Sequence, residues 1–185
     1  TVQRIFAANG LVVVDVQELP THGGSLRVFA ARADATAHPQ ATPDGAARVA
    51  QLLATEATAG LLSEGFYSDF QPQALRIKRE LLSFLLQCQA EGLTVGAYGA
   101  AAKGNTLLNF AGVRPDLLPY VADKNPAKQG QYLPGSRIPI VDEAHLRKHQ
   151  PDRVLILPWN LRDEVAAQLA DARSWGGKFA VAVPR

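Results

Sequence analysis

Apolar positions recur at different periods along this chain, and each period predicts a different element. Val2, Ile5 and Phe6 share one helical face, and Asn9-Gly10 supplies the stop. Over residues 11–19 the period falls to two, with Val12, Val14 and Val16 set against Asp15 and Gln17. After Pro20-Thr21-His22-Gly23-Gly24 a second extended run follows at 26–30. The two runs predict a β-hairpin closed by a glycine turn. Two strands cannot bury both faces of an apolar ribbon, so the hairpin is expected to belong to a larger sheet whose other strands lie upstream. Residues 31–44 are rich in Ala, Thr, Pro, Asp and His without an apolar period, which marks a linker. The expected division is therefore 1–31, a terminal helix and hairpin; 32–44, a linker; and 45–185, a second domain.

That second domain opens with two helical patterns. Val49, Leu53, Ala57 and Leu61 form an i+4 ladder, and within 73–91 Ala74, Ile77, Leu81, Leu85 and Cys88 share a face. From residue 93 onward short apolar strands, at 94–98, 120–123, 138–141, 154–158 and 179–183, alternate with helices after Gly104, from Asp142 and from Leu161. Asn160 is placed to cap the last helix, with Asp163 and Glu164 in its first turn. Such alternation implies a parallel sheet covered on both faces. The fold class is α/β: a Rossmann-like three-layer sandwich with a mostly parallel sheet, preceded by an N-terminal helix and β-hairpin.

Composition narrows the partners. The 185 residues are 47% apolar, enough for a substantial core. Nineteen Lys and Arg against 17 Asp and Glu leave a net charge of +2, too small a field to recruit nucleic acid or an acidic membrane. One cysteine excludes an intrachain disulfide, and with four scattered histidines it makes no zinc module, so the expectation is no metal in this chain and a cytoplasmic location. There is no spanning apolar run and no signal-like N-terminus. Cys88 lies in a helical stripe and reads as a small buried hydrophobe.

In open parallel sheets, ligands sit beyond the carboxyl ends of the strands. The first such end runs Ala97-Tyr98-Gly99-Ala100-Ala101-Ala102-Lys103-Gly104-Asn105-Thr106, small residues that let backbone N–H groups approach a phosphate. Gly96, Gly99 and Gly104 do not have the dinucleotide spacing, and the Walker ending is absent, so a plain glycine turn is the competing reading. Asp123 closes the second strand, either as a ribose ligand or as the cap of the Lys124-Asn125-Pro126 turn. Trp159 and Asn160 follow the fourth strand, the indole either stacking on a base or sugar or packing in the core. His22, in the hairpin turn, is either solvated or a contact across a cleft. His38, His145 and His149 read as surface residues, and the i,i+4 pair His145/His149 lacks an acidic third metal ligand.

Taken together, Gly10-Leu11-Val12-Val13-Val14-Asp15-Val16, Pro20-Thr21-His22-Gly23-Gly24-Ser25-Leu26-Arg27, the Gly99–Thr106 loop, Asp123-Lys124-Asn125-Pro126-Ala127-Lys128-Gln129-Gly130, Leu133-Pro134-Gly135 and Leu157-Pro158-Trp159-Asn160 resemble the C-terminal part of sugar C-methyltransferases. The resemblance covers nearly the whole chain. It implies an enzyme with an N-terminal zinc-binding module, a central S-adenosylmethionine domain and a C-terminal Rossmann-like domain, methylating a nucleotide-linked 4-keto-deoxysugar, often at C3. Residues 1–31 then resemble the end of the central methyltransferase sheet. The structural zinc, the S-adenosylmethionine site and the acid-base residues are expected upstream, so the fragment is expected to hold no cofactor and no catalytic residue and to be inactive alone. The nucleotide-linked deoxysugar is expected at Gly99, Lys103, Gly104, Asn105, Thr106, Asp123, Lys128, Trp159 and Asn160, with His22 in the cleft. The upstream domains of the same polypeptide are the expected protein partners, and pairing of exposed hairpins is expected to give a truncation-induced dimer. The alternatives are an NAD(P)- or other nucleotide-binding domain of an oxidoreductase and a non-catalytic interaction domain.

Overall fold

The structure, a computed structural model, describes residues 1–21, 24–35 and 41–183. His22 and His38 lie outside the described residues. The chain forms two compact units, Thr1–Phe70 and Gln71–Arg185.

The first unit contains helix α1 (Val2–Ala8), strands β1 (Leu11–Leu19) and β2 (Ser25–Arg32), and helix α2 (Pro43–Thr58). β1 and β2 pair antiparallel from Leu11↔Arg32 to Leu19↔Ser25, and the register shifts between Val13 and Asp15. This bulge is where α2 seats. A Cβ at Gly45 would stand 2.6 Å from the Val14 carbonyl oxygen, so only glycine lets the helix come this close. One turn further on, Arg48 donates from Nε and Nη2 to the two oxygens of Asp15, at 2.8 and 2.7 Å. The start of α2 follows from its sequence: Thr42 Oγ1 accepts from the Gly45 N–H at 3.0 Å, Pro43 sits in the first turn, and Asp44 faces the dipole. α2 ends at Thr58, so Leu61 falls outside the ladder to which its spacing assigns it. The ribbon keeps exposed apolar side chains, among them Val12 and Leu26.

The second unit is built on a five-stranded parallel sheet. Its strands are β3 (Val95–Tyr98), β4 (Val121–Ala122), β5 (Ile140–Val141), β6 (Arg153–Ile156) and β7 (Lys178–Val181). The spatial order is β5-β4-β3-β6-β7, all parallel. Helices α3 (Phe70–Ala90), α4 (Ala102–Ala111), α5 (Glu143–His149) and α6 (Arg162–Gln168) supply the outer layers. The period of two sorts the strand residues into two cores. Val95, Ala97, Val121, Leu155 and Leu157 pack with Leu81, Leu85 and Cys88 of α3 and Leu108 of α4. Tyr98, Ala122, Val154 and Ile156 face the other way, onto Leu146 of α5 and Val165 of α6. Cys88 is buried, and burial pushes its thiol pKa up, away from reactivity.

Three sequence expectations need correction. α4 starts at Ala102, before Gly104, so Lys103 to Thr106 lie within the helix. α6 has Leu161 at its N-cap position with no side-chain cap; Asn160 belongs to a preceding 3₁₀ turn, Trp159–Leu161, although Asp163 and Glu164 do occupy the first helical turn. His145 is half-buried rather than a surface residue: its ring meets Tyr120 edge-on at 4.8 Å and stacks on the more exposed His149 at 3.8 Å. Tyr120 itself lies over Gly96, where a Cβ would stand 2.5 Å from its hydroxyl oxygen. Among the described residues no helix is long and apolar enough to cross a membrane.

Candidate functional site

The strand order reverses at β3: the chain moves from β3 to β4 and β5 on one side, then crosses to β6 and β7 on the other. The carboxyl ends of β3 and β6 therefore flank the topological switch point of the sheet. Two loops meet there. Gly99 follows β3 at φ +89°, and a Cβ on it would lie 2.5 Å from Cδ of Pro158, which follows β6. Glycine is thus required twice, for the left-handed backbone and for the proline ring. Similarly, Gly104 brings α4 against Leu157, whose Cβ would be 2.7 Å from an added methyl.

This close approach joins residues 57 positions apart: Lys103 Nζ donates to Asn160 Oδ1 at 2.8 Å. The same ammonium stands 5.5 Å from the centroid of the Trp159 ring, within cation–π range. Trp159 is half-buried and packs with neither of the two cores described above, unlike its neighbour Leu157. A cation, an amide and an aromatic face thus share one strand edge.

Asp123 shapes the loop beside them. It is 7% exposed, and its Oδ2 accepts from the Ala100 N–H at 2.8 Å while Oδ1 accepts from the Asn125 N–H at 2.8 Å. Lys128 Nζ donates to the Ala100 carbonyl at 2.9 Å and to Asp123 Oδ2 at 3.3 Å. Both carboxylate oxygens are committed, so Asp123 caps its own turn and clasps the glycine loop. Asn105 and Thr106 are turned toward their own helix: the Asn105 side-chain oxygen Oδ1 accepts from Asn109 Nδ2 at 3.2 Å, and Thr106 Oγ1 donates to the Ala102 carbonyl at 3.0 Å.

A second polar group was not marked by the sequence reading. Tyr98, the last residue of β3, donates its hydroxyl to Glu143 Oε1 at 2.6 Å; Gln168 donates to both, and Arg147 bridges Glu143 and Asp171. Burial together with the Glu143 carboxylate drives the Tyr98 pKa far above the ordinary phenol range. Burial alone would raise Glu143, but hydrogen bonds from Tyr98, Arg147 and Gln168 outweigh it and hold the carboxyl below its usual value. The network ties β3 to α5 and α6 and carries no neutral-pH acid or base. Only the helical spacing of Glu143 and Arg147 signals it in the sequence. No three His, Cys, Asp or Glu side chains converge as metal ligands among the described residues.

The architecture is that of a doubly wound α/β domain whose polar residues gather at the switch point. The profile of the C-methyltransferase C-terminal domain matches residues 20–184, and the chain belongs to that family. It is 36% identical over 180 residues to the C-methyltransferase NovU of Streptomyces niveus, covering 97% of this chain. The chain spans 41% of the length of that curated relative.

Proposed function

We propose that this chain is the C-terminal, sugar-nucleotide-binding portion of an S-adenosylmethionine-dependent C-methyltransferase that acts on a nucleotide-linked 4-keto-deoxysugar, often at C3. The observation that carries the reading is the meeting of Lys103, Trp159 and Asn160 at the switch point of the sheet. Lys103 binds the diphosphate, Trp159 and Asn160 contact the base or sugar, and Gly99 and Gly104 let the two loops approach closely enough to bring these residues together. Asn105 and Thr106 border the same edge, while Asp123 and Lys128 act from the periphery by holding the loop. His22 is assigned to the cleft of the complete enzyme, which also contains the upstream domains and their structural zinc.

In such a reaction the C4 ketone acidifies the neighbouring C–H, and S-adenosylmethionine supplies the methyl group. On this reading Asp123, whose oxygens accept from the Ala100 and Asn125 N–H groups, holds the loop rather than a donor ribose. The methyl-donor site and the base are therefore assigned to the rest of the polypeptide, and this chain contributes remote binding energy that positions the sugar. Residues 1–31 are assigned to the edge of the methyltransferase core, 32–44 to a linker and 45–185 to the C-terminal domain, in a cytoplasmic enzyme of deoxysugar biosynthesis.

Calorimetry tests the reading. A thymidine-type sugar nucleotide or its diphosphate binds, and Lys103→Ala weakens the diphosphate by about 1–3 kcal/mol, the range of a charge-assisted hydrogen bond. S-adenosylmethionine and nicotinamide dinucleotides do not bind appreciably. A low-micromolar dissociation constant for S-adenosylmethionine, about −8 kcal/mol, overturns the assignment. Equal diphosphate affinity in Lys103→Ala removes Lys103 from the site.

A further inference from the structure

Lys103 makes two contacts that a ligand would have to disturb. Its ammonium hydrogen-bonds Asn160 Oδ1 and stands over the Trp159 ring, 5.5 Å from its centroid. A flat ring cannot lie on an indole face that the ammonium occupies. An anion brought to the same edge competes for the ammonium directly, because a charged acceptor outbids both a neutral amide oxygen and a ring quadrupole. The lysine is exposed and its stem flexible, so the exchange requires no movement of the backbone.

We infer that Lys103 is a latch over a ring-binding face: an anion draws the ammonium off Trp159 and Asn160, and the uncovered indole then receives a planar ring. The ligand class follows. It carries an anionic group and an aromatic ring on one short scaffold, as a nucleoside diphosphate does. Free phosphate opens the latch but leaves the indole face empty. A free nucleoside must displace the ammonium into water, with no charged acceptor to hold it. The two halves of the ligand therefore help each other, and by linkage each raises the affinity of the other by the same factor. The inference rests on the sugar-nucleotide reading above but adds a coupling that simple adjacency of subsites would not produce.

The test uses the 185-residue chain in a Trp175→Phe background, so that fluorescence reports Trp159 alone; Trp175 donates to the Pro151 carbonyl, which precedes β6, whereas Trp159 and Asn160 follow its other end. Thymidine is titrated with and without saturating pyrophosphate, and the complete thymidine and uridine diphosphates are titrated separately. Pyrophosphate should tighten thymidine binding about five- to tenfold, the lower part of the range usual for coupled sites. In Lys103→Ala the coupling disappears, thymidine alone binds at least as tightly as before, and pyrophosphate binds more weakly. Lys103→Arg, whose guanidinium also stacks on indole, retains coupling and checks that the alanine variant has not merely disturbed the fold. If a diphosphate binds but pyrophosphate leaves thymidine affinity unchanged, the latch is wrong and the sugar-nucleotide reading stands. If neither diphosphate binds, both fall.

Discussion

Replacing Gly99 by alanine probes the junction on which the candidate site depends. Two separate penalties arise. At φ +89° an L-residue is strained, by about 1–2 kcal/mol. The new methyl would also stand 2.5 and 2.8 Å from Cδ and Cγ of Pro158, whose ring cannot rotate away, and overpacking of this kind costs about 1–3 kcal/mol. The expected loss is their sum, about 2–5 kcal/mol, a large share of the stability of an ordinary domain but not all of it. Both tryptophans lie in the Gln71–Arg185 unit, so denaturant titration followed by their emission reads that unit. A Pro158→Ala background separates the two penalties: the steric part disappears, and about 1–2 kcal/mol of backbone strain remains. Because Pro158 leads directly into Trp159 and Asn160, Gly99→Ala should also weaken diphosphate binding beyond its effect on stability. A loss below about 0.5 kcal/mol, or an equal loss in the two backgrounds, would refute the described contact of the two loops.

The Tyr120 hydroxyl is buried without a hydrogen-bond partner in the structure, so Tyr120→Phe should raise stability by up to about 1 kcal/mol at neutral pH, as thermal or denaturant unfolding would show. Burial also lifts the pKa of Tyr120 from 10.0 to about 12; its contribution is complete below pH 10 and is lost as pH rises toward 12, about 2–3 kcal/mol in all, and Tyr120→Phe should flatten that alkaline decline. Asp123→Ala should cost about 1.5–3 kcal/mol from the lost charged hydrogen bonds, with little added by Lys128, whose side chain is 41% exposed; Asp123→Asn, which keeps one acceptor, should cost less. If the exposed hairpin drives self-association, light scattering should find a dimer for the whole chain and a monomer once residues 1–70 are removed; a dimer that survives the cut places the contact elsewhere.

The alternation of strands and helices after residue 93 is legible because every strand is a short apolar run bounded by turn residues, and the burial of Val154, Leu155, Ile156 and Leu157 in alternate cores then follows from the pleat. The hairpin is legible for the same reason, but the seat of α2 on it is not: the contact of Gly45 with Val14 depends on a bulge that no pattern announces. At the site, Lys103, Trp159 and Asn160 stand out singly by chemistry. Their convergence depends on strand order, which the local sequence does not encode. A short amide before a helix fits the cap role locally, but Asn160 lies in a 3₁₀ turn one residue before the N-cap position of α6, and its oxygen accepts from a tertiary partner 57 residues away. Asp123 is ambiguous in sequence between ribose and turn, and only the position of the Ala100 N–H shows where its oxygens are spent.

The sheet is shallow. β4 and β5 contribute two residues each and the longest strands four, so the hydrogen-bonded ladder is only about 10–13 Å deep along the strands. Protection against amide exchange therefore has few places to concentrate. β3 is paired on both sides, its Ala97 N–H held by the Tyr120 carbonyl at 3.1 Å, and the Gly99 N–H at its end is held by Ala122 at 2.8 Å, while Leu157 returns a bond to Tyr98 at 3.0 Å. These amides should outlast the rest of the sheet in deuterium, and β4 and β5 should open by smaller, cheaper fluctuations. The slowest-exchanging backbone of the domain thus ends at Gly99 and Leu157, where the two loops that lead to Lys103 and to Trp159 begin.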